Sequence, residues 1–270
     1  MKIHAICLVR NEADVIRECL EEACRWADRI YLYDGASTDG TWELLQSMRS
    51  EQIVPWRSDN TTFREGLRAL VYEAFREEAR EGDWWCQLNG DEFYTEDPRT
   101  FLAAVPSYEH VVWGLMIQYY LTPEDVEGGP AWSGQFAQDG GRIRYYKAAC
   151  AERRFFRHRD RLEWSDQNAW PEHLGVVHPR LLPFRHYPYR SPQQIQMRLD
   201  VRRDNRARGF EGWDHAKELT WREKIVARET LHFDRQDGKF ELEEEVLRQH
   251  LEAPRARLVK RILHGLKLWP

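Results

Sequence analysis

Up to Thr95 the sequence alternates short apolar runs with stretches of helical spacing, and that alternation leaves few folds open. Lys2 to Val9 reads as a buried strand. Ala13 to Arg25 places Val15, Ile16, Cys19, Leu20 and Ala23 on one helix face, and Arg29 to Tyr33 is apolar again. Ser37-Thr38-Asp39-Gly40 supplies capping residues before a helix carrying Trp42, Leu45 and Met48, and Gln52 to Trp56 forms a third strand. A long helix is expected from Thr62 to Arg80. Past Gly82-Asp83, Trp84 to Leu88 is a compact apolar strand that ends at Asn89-Gly90-Asp91. Strands alternating with helices imply an α/β fold with a mostly parallel central sheet flanked by helices. Ligands of such sheets bind beyond the carboxyl ends of the strands. The polar residues that matter are therefore Arg10 to Glu12, Asp34 to Asp39 and Asn89 to Glu92.

The second half is looser. An extended run covers His110 to Leu121, a Gly/Pro-rich loop spans 128–141, and short strand-like pieces lie around Arg142 to Lys147 and Arg153 to Arg157. Ser191-Pro192-Gln193-Gln194 is a helix start, with a capping serine, proline in the first turn and a glutamine placed to reach back. At 270 residues the chain holds one large domain with appendages. The net charge of −5 gives no general attraction to polyanions, so nucleic acid is not an expected partner. Cys7, Cys19, Cys24, Cys86 and Cys150 show no metal-type spacing, which suits a reducing, cytoplasmic compartment. The apolar run at the amino end is too short for a leader or a membrane span.

Three motifs occur in order: Leu8-Val9-Arg10-Asn11-Glu12, then Tyr33-Asp34-Gly35-Ala36-Ser37-Thr38-Asp39-Gly40-Thr41, then Leu88-Asn89-Gly90-Asp91-Glu92-Phe93. Together they resemble the successive signatures of the bacterial family 2 glycosyltransferases, which have the Rossmann-like GT-A fold. The resemblance covers Lys2 to Thr95. It implies an inverting transferase that moves a sugar from a nucleoside diphosphate sugar, UDP being the first choice, to a glycan or lipid-linked saccharide in polysaccharide biosynthesis. It also implies that Val9, Arg10, Asn11, Glu12 and Gly90 line the donor site, that Asp34 recognises the nucleoside, and that Asn89 lies near the ribose. Asp91 would ligate Mn²⁺ or Mg²⁺, the usual neutraliser of a departing diphosphate. Two departures stand out. Asn89 replaces the usual Asp, keeping an acceptor but losing a charge, and Gly35-Ala36 differs from the commoner order.

Arg64 and Arg68 lie one helical turn apart and suit the base or diphosphate. His186-Tyr187-Pro188-Tyr189-Arg190-Ser191 resembles the H-Y-x-x-R-S segment of bacterial members of the family. Independently of that likeness, His186 can ligate a metal and Arg190 can grip a phosphate, next to a helix start that favours anions. An inverting enzyme needs a base for the acceptor hydroxyl. Asp166 is the first candidate and Glu172 the second, with Trp164 and Trp170 as a stacking platform for an acceptor sugar.

The expected organisation is a GT-A domain over 1–210, with a nucleotide-binding half at 1–95 and an acceptor half at 96–210, followed by a C-terminal helical extension at 211–270. Within that extension, Arg255 to Pro270 is a basic amphipathic helix. Either its apolar stripe docks on the domain, or the helix makes a peripheral contact with the inner face of the cell membrane. Two rival functions remain. A nucleotidyltransferase would need a glycine-rich basic loop after the first strand, which is missing. A non-catalytic nucleotide-sugar or glycan-binding domain would follow if Asn89 marks a degenerate metal site.

Overall fold

The computed structural model describes residues 1–127, 129–210 and 218–270. Ile3–Val9 (β1) is buried on both faces and so reads as a continuous apolar run. Arg29–Asp34 (β2) lies parallel on one side, itself paired with Ile53–Ser58 (β3), and Trp84–Asn89 (β4) lies parallel on the other. Alternate residues of β1 enter two different cores. Ile3, Ala5, Cys7 and Val9 pack beneath Ile16–Ala23 (α1) and Thr41–Ser47 (α2), whereas Ile6 packs beneath Leu67–Phe75 (α3). In α1 the buried side chains are Ile16, Cys19, Leu20 and Ala23, the stripe its spacing demands.

The chain then turns through Glu92–Tyr94 (β5), Pro98–Ala103 (α4), Val111–Tyr120 (β6), Pro123–Glu127 (α5), Phe136–Asp139 (α6), Tyr145–Arg157 (β7) and Leu182–His186 (β8). Pro192–Ala207 (α7) follows, then His232–Phe233 (β9), Glu244–Arg248 (α8) and Pro254–Gly265 (α9). The sheet runs β3-β2-β1-β4-β7-β6-β8-β5, with β9 on β7. It is parallel from β3 to β4, then β7 pairs antiparallel with both β4 and β6. Helices flank this mixed α/β sheet in a Rossmann-like, GT-A arrangement.

Two local expectations shift. The third helix starts at Leu67, not Thr62, because Thr61 bonds back to Asp59 in a turn and Gly66 is pressed against another segment: a Cβ there would sit 1.9 Å from the Asp166 carbonyl oxygen. The two strand-like pieces after the Gly/Pro-rich loop are one strand of 13 residues. Its centre, Ala148-Ala149-Cys150-Ala151, carries no alternation to read, and the ladder with β6 supplies what local pattern lacks. Residue 128 at the head of that loop, and 211–217 at the head of the expected extension, lie outside the described residues.

The docking of α9 inverts the expectation of an inward apolar stripe. Arg257 pairs with Glu109 and donates to the Val177 carbonyl, Lys260 pairs with Glu252 and donates to the Gly175 carbonyl, and His264 packs on the His110 ring. The helix is held by its polar side, and Leu258, Val259, Ile262 and Leu266 face solvent.

Candidate active site

The pairings Val9↔Asp34 and Leu8↔Asn89 bring three loops to one edge of the sheet. The Ser37-to-Thr41 segment fastens the loop after β1. Ser37 Oγ accepts from Asn11 N at 2.8 Å, Thr41 Oγ1 from Glu12 N at 2.9 Å and Asp39 Oδ2 from Ala13 N at 3.0 Å, while Asn11 Oδ1 accepts from Thr38 N at 2.8 Å. Asp34 organises the same corner. Fully buried, it accepts from Ser37 N at 3.0 Å, from Ser58 Oγ at 2.7 Å and from Ser37 Oγ. Asn11 and Ala36 both have positive φ, 58° and 57°, a strain held by these bonds.

At the end of β4 the chemistry changes. Gly90 lets the turn pass close to α1: a Cβ there would meet Ile16 Cδ1 at 2.9 Å, so the isoleucine would have to shift. The tight turn drops Asp91 into the protein, where it is 2% exposed. Pairing of Glu92 with His186 across β5 and β8 delivers the imidazole, whose Nε2 stands 3.4 Å from Asp91 Oδ2. From α7, Arg198 Nη1 approaches the same oxygen at 3.2 Å, and from the loop before that helix Arg190 Nη1 approaches at 3.5 Å. Burial works to raise the Asp91 carboxyl, but His186, Arg198 and Arg190 outweigh it and hold the group well below the usual carboxylate range. Glu12 is different: burial pushes its carboxyl up to about 7 against the pull of Arg190.

Arg190 is the tie-rod of this corner. Its guanidinium meets Asp14 at 2.7 and 2.8 Å, pairs with Glu12 and donates to the Tyr187 carbonyl at 2.8 Å. Removing one partner of such a buried pair typically costs about 3–5 kcal/mol. Ser191 caps α7 as expected, accepting from Gln194 N at 3.2 Å, while the Gln194 side chain reaches one residue further back, to Arg190 N.

Asp91, Glu92 and His186 place ligand atoms within 4.8 Å of one another. Glu92 is occupied, accepting from Arg154 at 2.5 Å and from Asn89 Nδ2 at 2.8 Å. Asp91 and His186 fit a hard divalent cation whose other ligands would be water and phosphate oxygens, and the buried His186 Nδ1 has no hydrogen-bond partner.

A cavity of about 360 Å³ opens above this corner, within the usual range of small-molecule sites. Of the residues expected from sequence, Val9, Arg10, Asn11, Glu12, Arg68, Asn89, Gly90, Asp91 and Trp170 line it. Arg68 donates to Asn89 Oδ1 at 2.9 Å. Asp34, Arg190 and His186 are not among the lining residues. Arg64 is paired with Asp166 outside the lining, a hydrogen bond that holds the Asp166 carboxyl below its ordinary value. Glu172 is exposed and bonds to Asn168, also outside the lining. Trp164 is 5% exposed, packed on Tyr72 and Phe156 in the core. Sequence reasoning missed Glu152, Arg153 and Arg154 on β7, and Arg198 and Arg202 on α7, which also line the cavity. The α7 pair had a readable signal, since four-residue spacing from Arg190 through Gln194 puts Arg198 and Arg202 on one face.

A carboxylate turn at the carboxyl edge of a Rossmann-like sheet, facing an arginine-bearing helix across a cleft, is the arrangement of the GT-A class of fold. The sequence model of glycosyl transferase family 2 matches residues 5–156, more than half of the chain. The chain belongs to that family and is a glycosyltransferase. Among solved structures, Staphylococcus aureus TarS 1–349 in complex with UDP-GlcNAc aligns at 14% identity with a TM-score of 0.41, covering 91% of this chain and 78% of that one. TarS 1–349 alone gives 13% and 0.39, covering 74% and 65%. A putative glucose-1-phosphate thymidylyltransferase from Bacillus anthracis gives 12% and 0.34, covering 87% and 98%. The chain thus spans less than two thirds of TarS 1–349 in that second alignment and 39% of the longer TarS chain. No curated protein matches it.

Proposed function

We propose that this glycosyltransferase takes a sugar from a nucleoside diphosphate sugar, with UDP the first nucleotide to try, and passes it with inversion to a saccharide or lipid-linked saccharide acceptor. The observation that carries the reading is the grouping of Asp91, His186 and Arg198 beneath a cavity at the ends of β1 and β4. Asp91 and His186 would hold Mn²⁺ or Mg²⁺, which when bound neutralises the departing diphosphate. Arg198, Arg202 and Arg10 suit the same anion. At the nucleoside end, Arg68 and Asn89 face the cavity. Asp34 acts from behind through the loop it holds, and Arg190 fixes Glu12 and α7 in place.

For the acceptor's proton we assign Glu152. It lines the cavity and pairs with Arg154, which also grips Glu92, so it stands at the cation end where the anomeric carbon must lie. Asp166 and Glu172 lie outside the lining, so neither carboxylate faces the space where an acceptor hydroxyl would sit. The test is release of nucleoside diphosphate from a panel of sugar nucleotides with Mn²⁺ or with EDTA. Selective release that EDTA abolishes supports the proposal, and Glu152→Gln should then lower kcat about 10²–10⁴-fold with donor KM little changed. Full activity of Glu152→Gln beside a dead Asp166→Asn would return the base to Asp166.

A further inference from the structure

The apolar side of α9 has no partner among the described residues, although the helix itself is firmly attached. Leu258, Val259, Ile262 and Leu266 are 57, 53, 49 and 65% exposed, and Leu251 and Leu268 at either end are 53 and 66% exposed. A helix that merely finishes a domain buries such a stripe, and here the half-buried polar side is turned to the domain in its place. Arg257 and Lys260 point inward, where Glu109 and Glu252 neutralise them. Exposed Arg255, Arg261 and Lys267 remain around the stripe, and no acid occurs from Ala253 to Pro270. At one margin the Arg261 guanidinium lies 4.4 Å above the ring of Tyr108, itself 45% exposed.

An aliphatic arc with a cationic border and a tyrosine at its margin matches the boundary between acyl chains and anionic headgroups. A second copy of the chain fits less well, because the same border would meet its own like charges. We propose that the outward face of α9 attaches this chain to an anionic lipid leaflet. The attachment is independent of sugar transfer. Through Glu109, Gly175 and Val177 the helix sits by the amino end of β6, where Val111 pairs with Phe156 and Phe156 with Trp85, near the amino end of β4. The cleft opens at the carboxyl end of β4, so a membrane-bound molecule keeps its donor site open to solution. Among the described residues no helix is long and apolar enough to cross a membrane, which fits surface contact.

The test is co-sedimentation of the full chain with vesicles of phosphatidylglycerol and phosphatidylcholine, or of phosphatidylcholine alone. Binding should favour the anionic vesicles by about tenfold or more and weaken as salt is raised. Ile262→Asp with Leu266→Asp should abolish it with circular dichroism, thermal midpoint and donor turnover unchanged, since both side chains already face solvent. Arg255→Glu with Arg261→Glu should remove the anionic preference, and this second variant keeps the test open should the first fold poorly. Failure of the unaltered chain to bind either vesicle, or undiminished binding by both variants, overturns the proposal. A dimer split by the Ile262→Asp, Leu266→Asp change would give the surface to a second copy instead.

Discussion

The corners at the ends of β2 and β4 each present a buried aspartate to the same edge of the sheet, on either side of β1, yet their surroundings differ. Asp34 is satisfied by neutral donors, the Ser37 amide and hydroxyl and the Ser58 hydroxyl, all from its own neighbourhood. Asp91 is ringed by His186, Arg190 and Arg198, delivered from β8, α7 and the loop between them, far along the chain. A carboxylate answered by hydroxyls and amides shapes a loop. One set against two arginines and an imidazole brought from distant elements, at the wall of a cavity, is the one that the proposed function assigns to the donor's diphosphate. Position after a strand thus identifies the edge, and the partners identify the role.

The sharpest way to break this contrast is Asp91→Asn. It should lower kcat/KM by about 100-fold or more and erase the response to Mn²⁺, as expected for loss of a hard-cation ligand. Near-normal activity would remove Asp91 from the metal assignment. Next comes Arg190→Lys, where one ammonium replaces a fork that holds Asp14, Glu12 and the Tyr187 carbonyl together. A loss of about 1.5–3 kcal/mol in denaturant stability is expected, since lysine keeps the charge but cannot bond in two planar directions. Unchanged stability would mean that Arg190 serves substrate alone.

Asp34→Asn should cost less, about 1–2 kcal/mol of stability, with donor KM raised and Mn²⁺ dependence intact. If it alters the metal requirement, the two corners are not separate. Smallest of all is Asn89→Asp. Asn89 now donates to Glu92 and accepts from Arg68, so the carboxylate gains a charge but loses the donor to Glu92. About 1 kcal/mol of destabilisation is expected, with the Mn²⁺ concentration for half-maximal activity moving by less than an order of magnitude. A large gain in metal affinity would show that position 89 itself ligates.

The parallel half of the fold was legible because its strands are short and apolar, its helices carry the i, i+3, i+4 stripe, and its motifs follow the strands directly. The cation cluster was legible only in part. His186 and Arg190 were suggested by their motif, but their meeting with Asp91 depends on β5–β8 pairing, which no local pattern encodes. Glu152 lies on a strand whose small central residues hide its alternation, and Asp166 and Glu172 drew attention only by lying in the segment between the metal motif and His186. For α9 the moment was plain from sequence, but its direction was not. Which side turns inward depended on Glu109, Glu252 and two carbonyls waiting on the body of the protein.

Thermal stability measured with a nucleoside diphosphate in Mn²⁺ and in EDTA tests the central claim most directly, because a ligand bound at one hundred times its Kd stabilises the folded state by about 2.7 kcal/mol. The unaltered chain should show a clear rise in Tm with UDP and Mn²⁺ and a much smaller one in EDTA, and Asp91→Asn should show the small rise in both. An equal rise for the unaltered chain in Mn²⁺ and EDTA would contradict a cation-bridged diphosphate at Asp91.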